Sequence, residues 1–148
     1  SAICAYVAEA EAEGATFLTG KTPKKTDGGF HPVPTILTGL DNSWRIAKEE
    51  VFGPVLVALP WEDEAEMIAL ANDTHYGLAA FIFTPDMSKA IDMTRRIDAG
   101  WIQVNQGGGQ IPGMSYGGIK QSGLGSEYSL EGALEAYTFR KSVTVGLG

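Results

Sequence analysis

Glu50 and Phe52 stand two residues apart in the run Lys48-Glu49-Glu50-Val51-Phe52-Gly53-Pro54. A carboxylate accepts hydrogen bonds from hydroxyls, and an aromatic face lies flat against a flat ring. Gly53 can take backbone angles closed to other residues, and Pro54 fixes its own φ and lacks an N–H. Apolar residues follow through Leu59. The stretch therefore predicts a helix end or tight corner feeding a buried strand. At such a corner Glu50 and Phe52 can project the same way, an arrangement suited to a ribose joined to a heterocycle. The plain alternative is a strand entry carrying a solvated acid and a core Phe.

Other chemistry-bearing residues are sparse. Cys4 has no basic neighbour through residue 14, while Glu9, Glu11 and Glu13 are acidic, so nothing nearby in sequence marks it as a nucleophile and it reads as a bystander. Glu62, Asp63, Glu64 and Glu66 crowd a helix start, where unpaired N–H groups favour negative charge. They are not spaced with His or Cys as metal ligands, so no metal site is expected. His31 precedes Pro32, and His75 falls in a loop where it reads as solvated.

Residues 107–125 contain eight glycines: 107, 108, 109, 113, 117, 118, 123 and 125. No G-x-G-x-x-G occurs. Gly113 and Gly118 have the spacing of a phosphate loop, but Ile119 stands where Lys is required and Lys120 comes one residue late. The stretch reads instead as an irregular loop that needs positive φ repeatedly and lies close to other backbone.

The elements that must position these residues follow from periodicity. Ile3, Tyr6, Val7 and Ala10 recur at helical spacing up to Gly14, and residues 15–19 read as a strand ending at Gly20. Residues 21–29 read as a polar surface loop, 33–37 as a strand and 44–48 as a helical turn, with Asp41, Asn42 and Ser43 as candidate caps. A helix is predicted to about Asn72, then a strand at 78–83 buried on both faces. Asp86 or Ser88 caps the next helix, whose inner stripe is Met87, Ala90, Ile91, Thr94 and Ile97. Residues 101–104 form a last strand. This alternation predicts an α/β fold with a largely parallel sheet. Ser142 to Val145 reads as a C-terminal edge strand, which invites pairing with another chain.

At 148 residues the chain is expected to be one domain with a core. Eleven Lys and Arg against eighteen Asp and Glu leave a formal charge of −7, which argues against a nucleic-acid partner. No run approaches the ~20 apolar residues of a membrane span. A single cysteine suits a reducing, cytoplasmic setting.

The opening run also resembles the E-E-x-F-G-P segment of the NAD(P)-dependent aldehyde dehydrogenases. Residues Trp101-Ile102-Gln103-Val104-Asn105 are similar to that family's W-V-N strand end. Tyr116-Gly117-Gly118-Ile119-Lys120-Gln121-Ser122-Gly123 is similar to its [F/Y]-G-G-x-K-x-S-G loop. Gly125-Ser126-Glu127 resembles the following G-R-E, with Ser126 replacing Arg. Ala136-Tyr137-Thr138 and Lys141-Ser142-Val143-Thr144-Val145 resemble the C-terminal Y-T-x-x-K-x-V-x-V. Asn72-Asp73-Thr74-His75-Tyr76-Gly77-Leu78 also fits, and the series runs in order along the whole chain.

The resemblance implies the C-terminal part of such an enzyme: residues 1–139 from the catalytic domain, and 140–148 an oligomerisation strand and tail. It implies NAD or NADP as cofactor, an aldehyde substrate oxidised to the acid through a cysteine thiohemiacetal and thioester, and self-association through Ser142 to Val145. Glu50 would hold the nicotinamide ribose and Phe52 would pack beside the ring. Tyr116 and Gln110 would line the substrate pocket. Asn105, Gly117 and Gly118 would give structural support, and Glu127 would support deacylation or simply fix the loop. Gln110 and the triple glycine beside it point to a polar or bulky aldehyde. The segments bearing the nucleophilic Cys and the general-base Glu are not in this sequence, and Cys4 lies downstream of where that Cys belongs. The chain alone is therefore expected to be inactive. An autonomous non-catalytic module for assembly or binding is the alternative, and an unrelated small α/β binding domain is a more distant one.

Overall fold

A computed structural model of the chain describes residues 2–20 and 31–148. The loop expected at 21–29 lies outside the described residues. The chain divides into two compact units, one ending at Asp73 and the other beginning at Thr74.

In the first unit, helix α1 (Ala2–Glu13) is rich in Ala and Glu, which lose little on entering a helix. It stops at Gly14, whose φ of 102° suits a residue without Cβ. Strand β1 (Thr16–Thr19) pairs antiparallel with β2 (Thr35–Thr38). β2 pairs parallel with β3 (Val55–Val57), Thr35 opposite Val55. The β2–β3 connection carries the short helix α2 (Arg45–Lys48), and α3 (Glu64–Asn72) follows β3. β2 is thus the central strand, and its Leu37 is fully buried among Ala10, Leu40 and Ile46. Asp63 caps α3 by accepting from the N–H groups of Ala65 (2.8 Å) and Glu66 (3.0 Å), which accounts for the acid cluster there. No group of residues fit to hold a metal ion occurs among the described residues.

In the second unit, β4 (Ala79–Ile82) and β5 (Trp101–Val104) pair parallel across helix α4 (Met87–Arg96). Asp86 caps α4 through the N–H groups of Ser88 and Lys89. A 3₁₀ turn at Lys120–Ser122 and helix α5 (Leu130–Tyr137) complete the unit. Among the described residues two of the three strand ladders are parallel, so the α/β class expected from the sequence is the class found.

Several details differ from expectation. β4 is not buried on both faces, because alternate residues of this two-stranded sheet, Phe81 among them, face outward. The inner face of α4 is Ala90 and Met93, three residues apart, while Met87 and Ile91 are exposed. Asp41 does not cap α2; its carboxylate binds the backbone N–H and hydroxyl of Ser43, tightening the preceding turn. Ser142 to Val145 forms no strand, since a ladder needs a partner and this segment has none among the described residues. Helix α5 was not anticipated, although Ser129 caps it and Leu130, Ala133, Leu134 and Tyr137 recur at helical spacing.

The glycines sort into two kinds. A Cβ on Gly100 would lie 1.9 Å from the carbonyl oxygen of Gly117, and one on Gly117 would lie 2.4 Å from that of Gly125. Gly118 is equally closed, against Ser122. Within the 107–125 stretch positive φ accounts for Gly113 and Gly125, and close approach of neighbouring atoms for Gly117 and Gly118. Gly108 and Gly109 need neither: nothing stands within 4 Å of a Cβ built on either, and neither has positive φ. Gly100→Ala should therefore destabilise the chain by about 3 kcal/mol or more through overpacking. Gly108→Ala should change stability by no more than about 1 kcal/mol. Chemical denaturation of the two variants checks this, and equal losses would refute it.

Candidate functional site

The corner after α2 is held from both sides. Lys48 donates to the carboxylate and carbonyl of Asp73 at the end of α3, and Asn42 reaches the carbonyl of Leu70 at 3.3 Å. The N–H of Thr35 on β2 donates to the carbonyl of Pro54 at 2.9 Å. A Cβ on Gly53 would meet Ile3 of α1 at 2.6 Å, so glycine lets the helix pack against the turn.

The two adjacent acids have different fates. The Glu49 carboxylate accepts from the hydroxyl of Tyr6 and from Nε of Arg45 (3.0 Å). The Arg45 guanidinium also binds Glu9 at 2.9 Å and lies over the Tyr6 ring. Glu49 is thereby spent on joining α1 to α2. The Tyr6 hydrogen bond, with help from Arg45, holds its carboxyl below the usual glutamate value, and the same bond to Glu49 raises the Tyr6 hydroxyl. Glu50, the next residue, is left exposed on a cavity of about 710 Å³ that Phe52, Val51 and Asn42 also line.

Phe52 is 85% exposed and has a φ of 51°. A bulky residue in the left-handed region is strained by about 1–3 kcal/mol. The strain and the exposure together leave a flat apolar ring beside a carboxylate, aimed away from the core of its own unit. The bland reading of a core Phe is excluded for this unit.

In the second unit the backbone brings Tyr116 and Glu127 opposite each other, with N–H···O bonds of 3.0 and 2.7 Å in the two directions. Both residues line a cavity of about 390 Å³ together with Gly117 and Gly118. The Tyr116 ring meets Trp101 and Tyr128 edge-on, at centroid distances of 5.3 and 6.0 Å. The Glu127 side chain is exposed. Gln110, also exposed, does not line that cavity and lies in the segment between β5 and Tyr116. Asn105 ends β5 with a φ of 53°; its side chain accepts from the N–H of Thr84 (2.9 Å) and donates to the carbonyl of Thr84 (2.8 Å).

The 116–123 loop is seamed to residues 74–77. The carbonyl of Gly77 accepts from Gly100 and Ile119, its N–H donates to Oγ of Ser122, and Gln121 donates to the carbonyl of His75. Lys120 closes the seam with Asp98 and the carbonyl of Thr74. His75 thus contributes through its backbone. The Tyr6–Arg45–Glu49 clasp, this seam and Gln103, whose side chain is buried, gave no signal in the sequence. Their partners lie outside any local period.

The sequence profile of the aldehyde dehydrogenase family matches residues 1–143. An aldehyde dehydrogenase of Talaromyces stipitatus, tropH, is 42% identical over 97% of this chain and 29% of its own length. An aldehyde dehydrogenase of Mycobacterium tuberculosis, solved with NAD+, is 39% identical with a TM-score of 0.85, over 99% of this chain and 30% of its own. An indole-3-acetaldehyde dehydrogenase of P. syringae, solved with NAD+ and IAA, is 40% identical with a TM-score of 0.88 over the same shares. The chain thus spans about three tenths of the length of the relatives it matches.

The clasp has a defined pH signature. Glu49 titrates below its ordinary value of 4.5, so its contribution is present above pH 4.5 and is lost as pH falls through the depressed value. Tyr6, raised above 10.0, adds a contribution present below pH 10.0 and lost at higher pH. Tyr6→Phe should therefore lose less thermal stability than the wild type between pH 7 and pH 3. Parallel melting curves would contradict the clasp.

Proposed function

The chain belongs to the aldehyde dehydrogenase family, and from that premise we propose that it forms the nicotinamide-ribose and aldehyde-facing portion of an enzyme that oxidises an aldehyde to a carboxylic acid with NAD or NADP. The observation that carries this is the corner itself: a strained, exposed Phe52 and an exposed Glu50 lining one cavity. A carboxylate next to a flat ring over an open cavity fits a ribosyl-heterocycle. The NAD+ present in the M. tuberculosis relative supports the same choice.

In this reading Glu50 accepts hydrogen bonds from the ribose hydroxyls, and Phe52 lies against the nicotinamide. When bound, the cofactor takes up a hydride; the work of these residues is orientation. Tyr116 walls the approach of the aldehyde and Gln110 stands at its mouth. Asn105, Gly117 and Gly118 keep the backbone beneath them fixed, and the exposed Glu127 carboxylate supports proton movement during deacylation. The nucleophilic thiol and the general base come from residues outside this chain, and Cys4 in α1 is not that thiol. The 148 residues alone bind without turnover.

Glu50→Gln in the full-length enzyme should slow single-turnover hydride transfer by roughly 100-fold, as misplacement of a reacting ring does, with a smaller change in aldehyde KM. An unaltered single-turnover rate would remove the role.

Self-association is proposed through Ser142 to Val145, where Val143, Val145 and Leu147 are exposed beyond α5. Unpaired backbone with apolar side chains favours strand addition from a second copy. Deleting residues 140–148 should leave monomers by light scattering, and unchanged assembly would refute the role of the tail.

A further inference from the structure

No hydrogen bond joins Glu50, Val51 or Phe52 to another described residue. Their placement is therefore inherited from what holds the chain on either side. Downstream, the carbonyl of Pro54 is tied to β2 through the N–H of Thr35. Upstream stands α2, a single turn of four residues with no side-chain cap at Trp44. One turn does not stabilise itself, because nucleating a helix is unfavourable. It must be pinned from outside, and three of its residues do this. Ile46 is buried in the core, Arg45 reaches Glu9 on α1, and Lys48 reaches Asp73 at the end of α3.

The two charged ties are unequal. Arg45 and its partners are half exposed, and such pairs contribute little. The Lys48 side chain is 28% exposed, and its ammonium donates both to the Asp73 carboxylate and, at 2.7 Å, to the Asp73 carbonyl. Asn42 donates to the same carboxylate at 3.2 Å. Helix α3 has no basic residue in its own last turn, so Lys48 supplies the positive charge that a helix C-terminus favours. Lys48 stands two residues before Glu50 and does not itself line the cavity that Glu50 and Phe52 share. Anything it does for that cavity passes through the backbone.

We propose that Lys48, anchored on Asp73, is the positioning residue that sets where Glu50 and Phe52 stand, and so governs hydride transfer without governing aldehyde affinity. The kinetic half rests on the aldehyde-oxidising reading; the anchor does not. A ring and a carboxylate that orient a reacting group lose rate when they shift by a fraction of a bond length.

The test uses the full-length enzyme. Lys48→Met keeps the apolar stem and removes the charge, Lys48→Arg keeps a cationic donor, and Asp73→Asn weakens the anchor from its other end. Without ligands, hydrogen exchange at the amides of Ala47, Lys48 and Glu49 should quicken roughly 5–10-fold in Lys48→Met, as for one lost net hydrogen bond, and return towards wild type in Lys48→Arg. The amides of β1 and β2 should stay protected. With saturating NAD+ and either acetaldehyde or indole-3-acetaldehyde, single-turnover hydride transfer should slow by about 10-fold in Lys48→Met, with aldehyde KM moving less than about 2-fold and the rate recovering in Lys48→Arg. Lys48→Met combined with Asp73→Asn should stay within about 2-fold of Lys48→Met, since both act through one contact. Glu9→Gln, which weakens the exposed tie to α1, should change the rate by less than about 2-fold. Unchanged exchange overturns the anchor. An unaltered rate, an equal shift in aldehyde KM, no recovery with Arg, additive losses in the double variant or an equal loss in Glu9→Gln overturns the positioning role. A wild-type enzyme that reduces NAD+ with neither aldehyde refutes the aldehyde-oxidising reading and the kinetic half with it, while exchange still decides the anchor.

Discussion

The carbonyl oxygen of Gly77 accepts N–H donors from both Gly100 and Ile119, and the second unit is arranged so that three backbone segments can meet there. A side chain at Gly77 or Gly100 would stand in the way. A Cβ on Gly77 would meet the carbonyl of Asp98 at 2.7 Å, and Gly100 has still less room. Glycine at these points is a packing requirement, and it makes the loop after Tyr116 part of the folded body. Ser122 and Lys120 then bind the facing segment, so residues over 40 positions apart in sequence behave as one structural piece.

The first unit meets a different constraint, which is how to present a carboxylate at a turn without losing it to a neighbour. Arg45 stands four residues before Glu49, on the same face of α2, and takes that acid with Tyr6. One residue further along, the exposed Glu50 lines the same cavity as Glu49 but without that clasp's hydrogen bonds. An exposed ion pair of this sort adds little to stability on its own. Its value lies in assigning each acid a direction. Phe52 completes the corner with a left-handed backbone and a ring left exposed, so burial in its own unit does little to offset the strain.

Much of this was legible in the sequence, and the limits have physical causes. Gly14, the acid cluster at 62–66 and the Asp86-or-Ser88 cap announced their helix boundaries because the chemistry of helix ends is local. The helix-end-to-strand corner at Gly53-Pro54 was equally local. Contacts across sequence were not legible: nothing in a linear pattern connects Tyr6 to Glu49, Ser122 to Gly77, or Gln103 to a glycine it must fold back to reach. The expected strand from Ser142 to Val145 shows a further limit, since alternation describes a segment able to pair and says nothing about whether a partner is present. The glycine-rich stretch was read as needing both positive φ and close backbone approach, and both occur, at Gly113 and Gly125 and at Gly117 and Gly118; composition does not say which glycine serves which use, or that Gly108 and Gly109 serve neither.

Both parallel ladders are closed by a single intervening stretch of chain, β2 to β3 through α2 and β4 to β5 through α4. The entropy of closing loops this short is modest, and contacts of short sequence separation form early. Each ladder can therefore nucleate as soon as its second strand leaves the ribosome, in the order in which the strands are made. The seam at Gly77 follows a different schedule: it cannot close until Ser122 has emerged, by which time the strands it braces are already paired. Synthesis thus hands the cell a sheet first and its bracing afterwards.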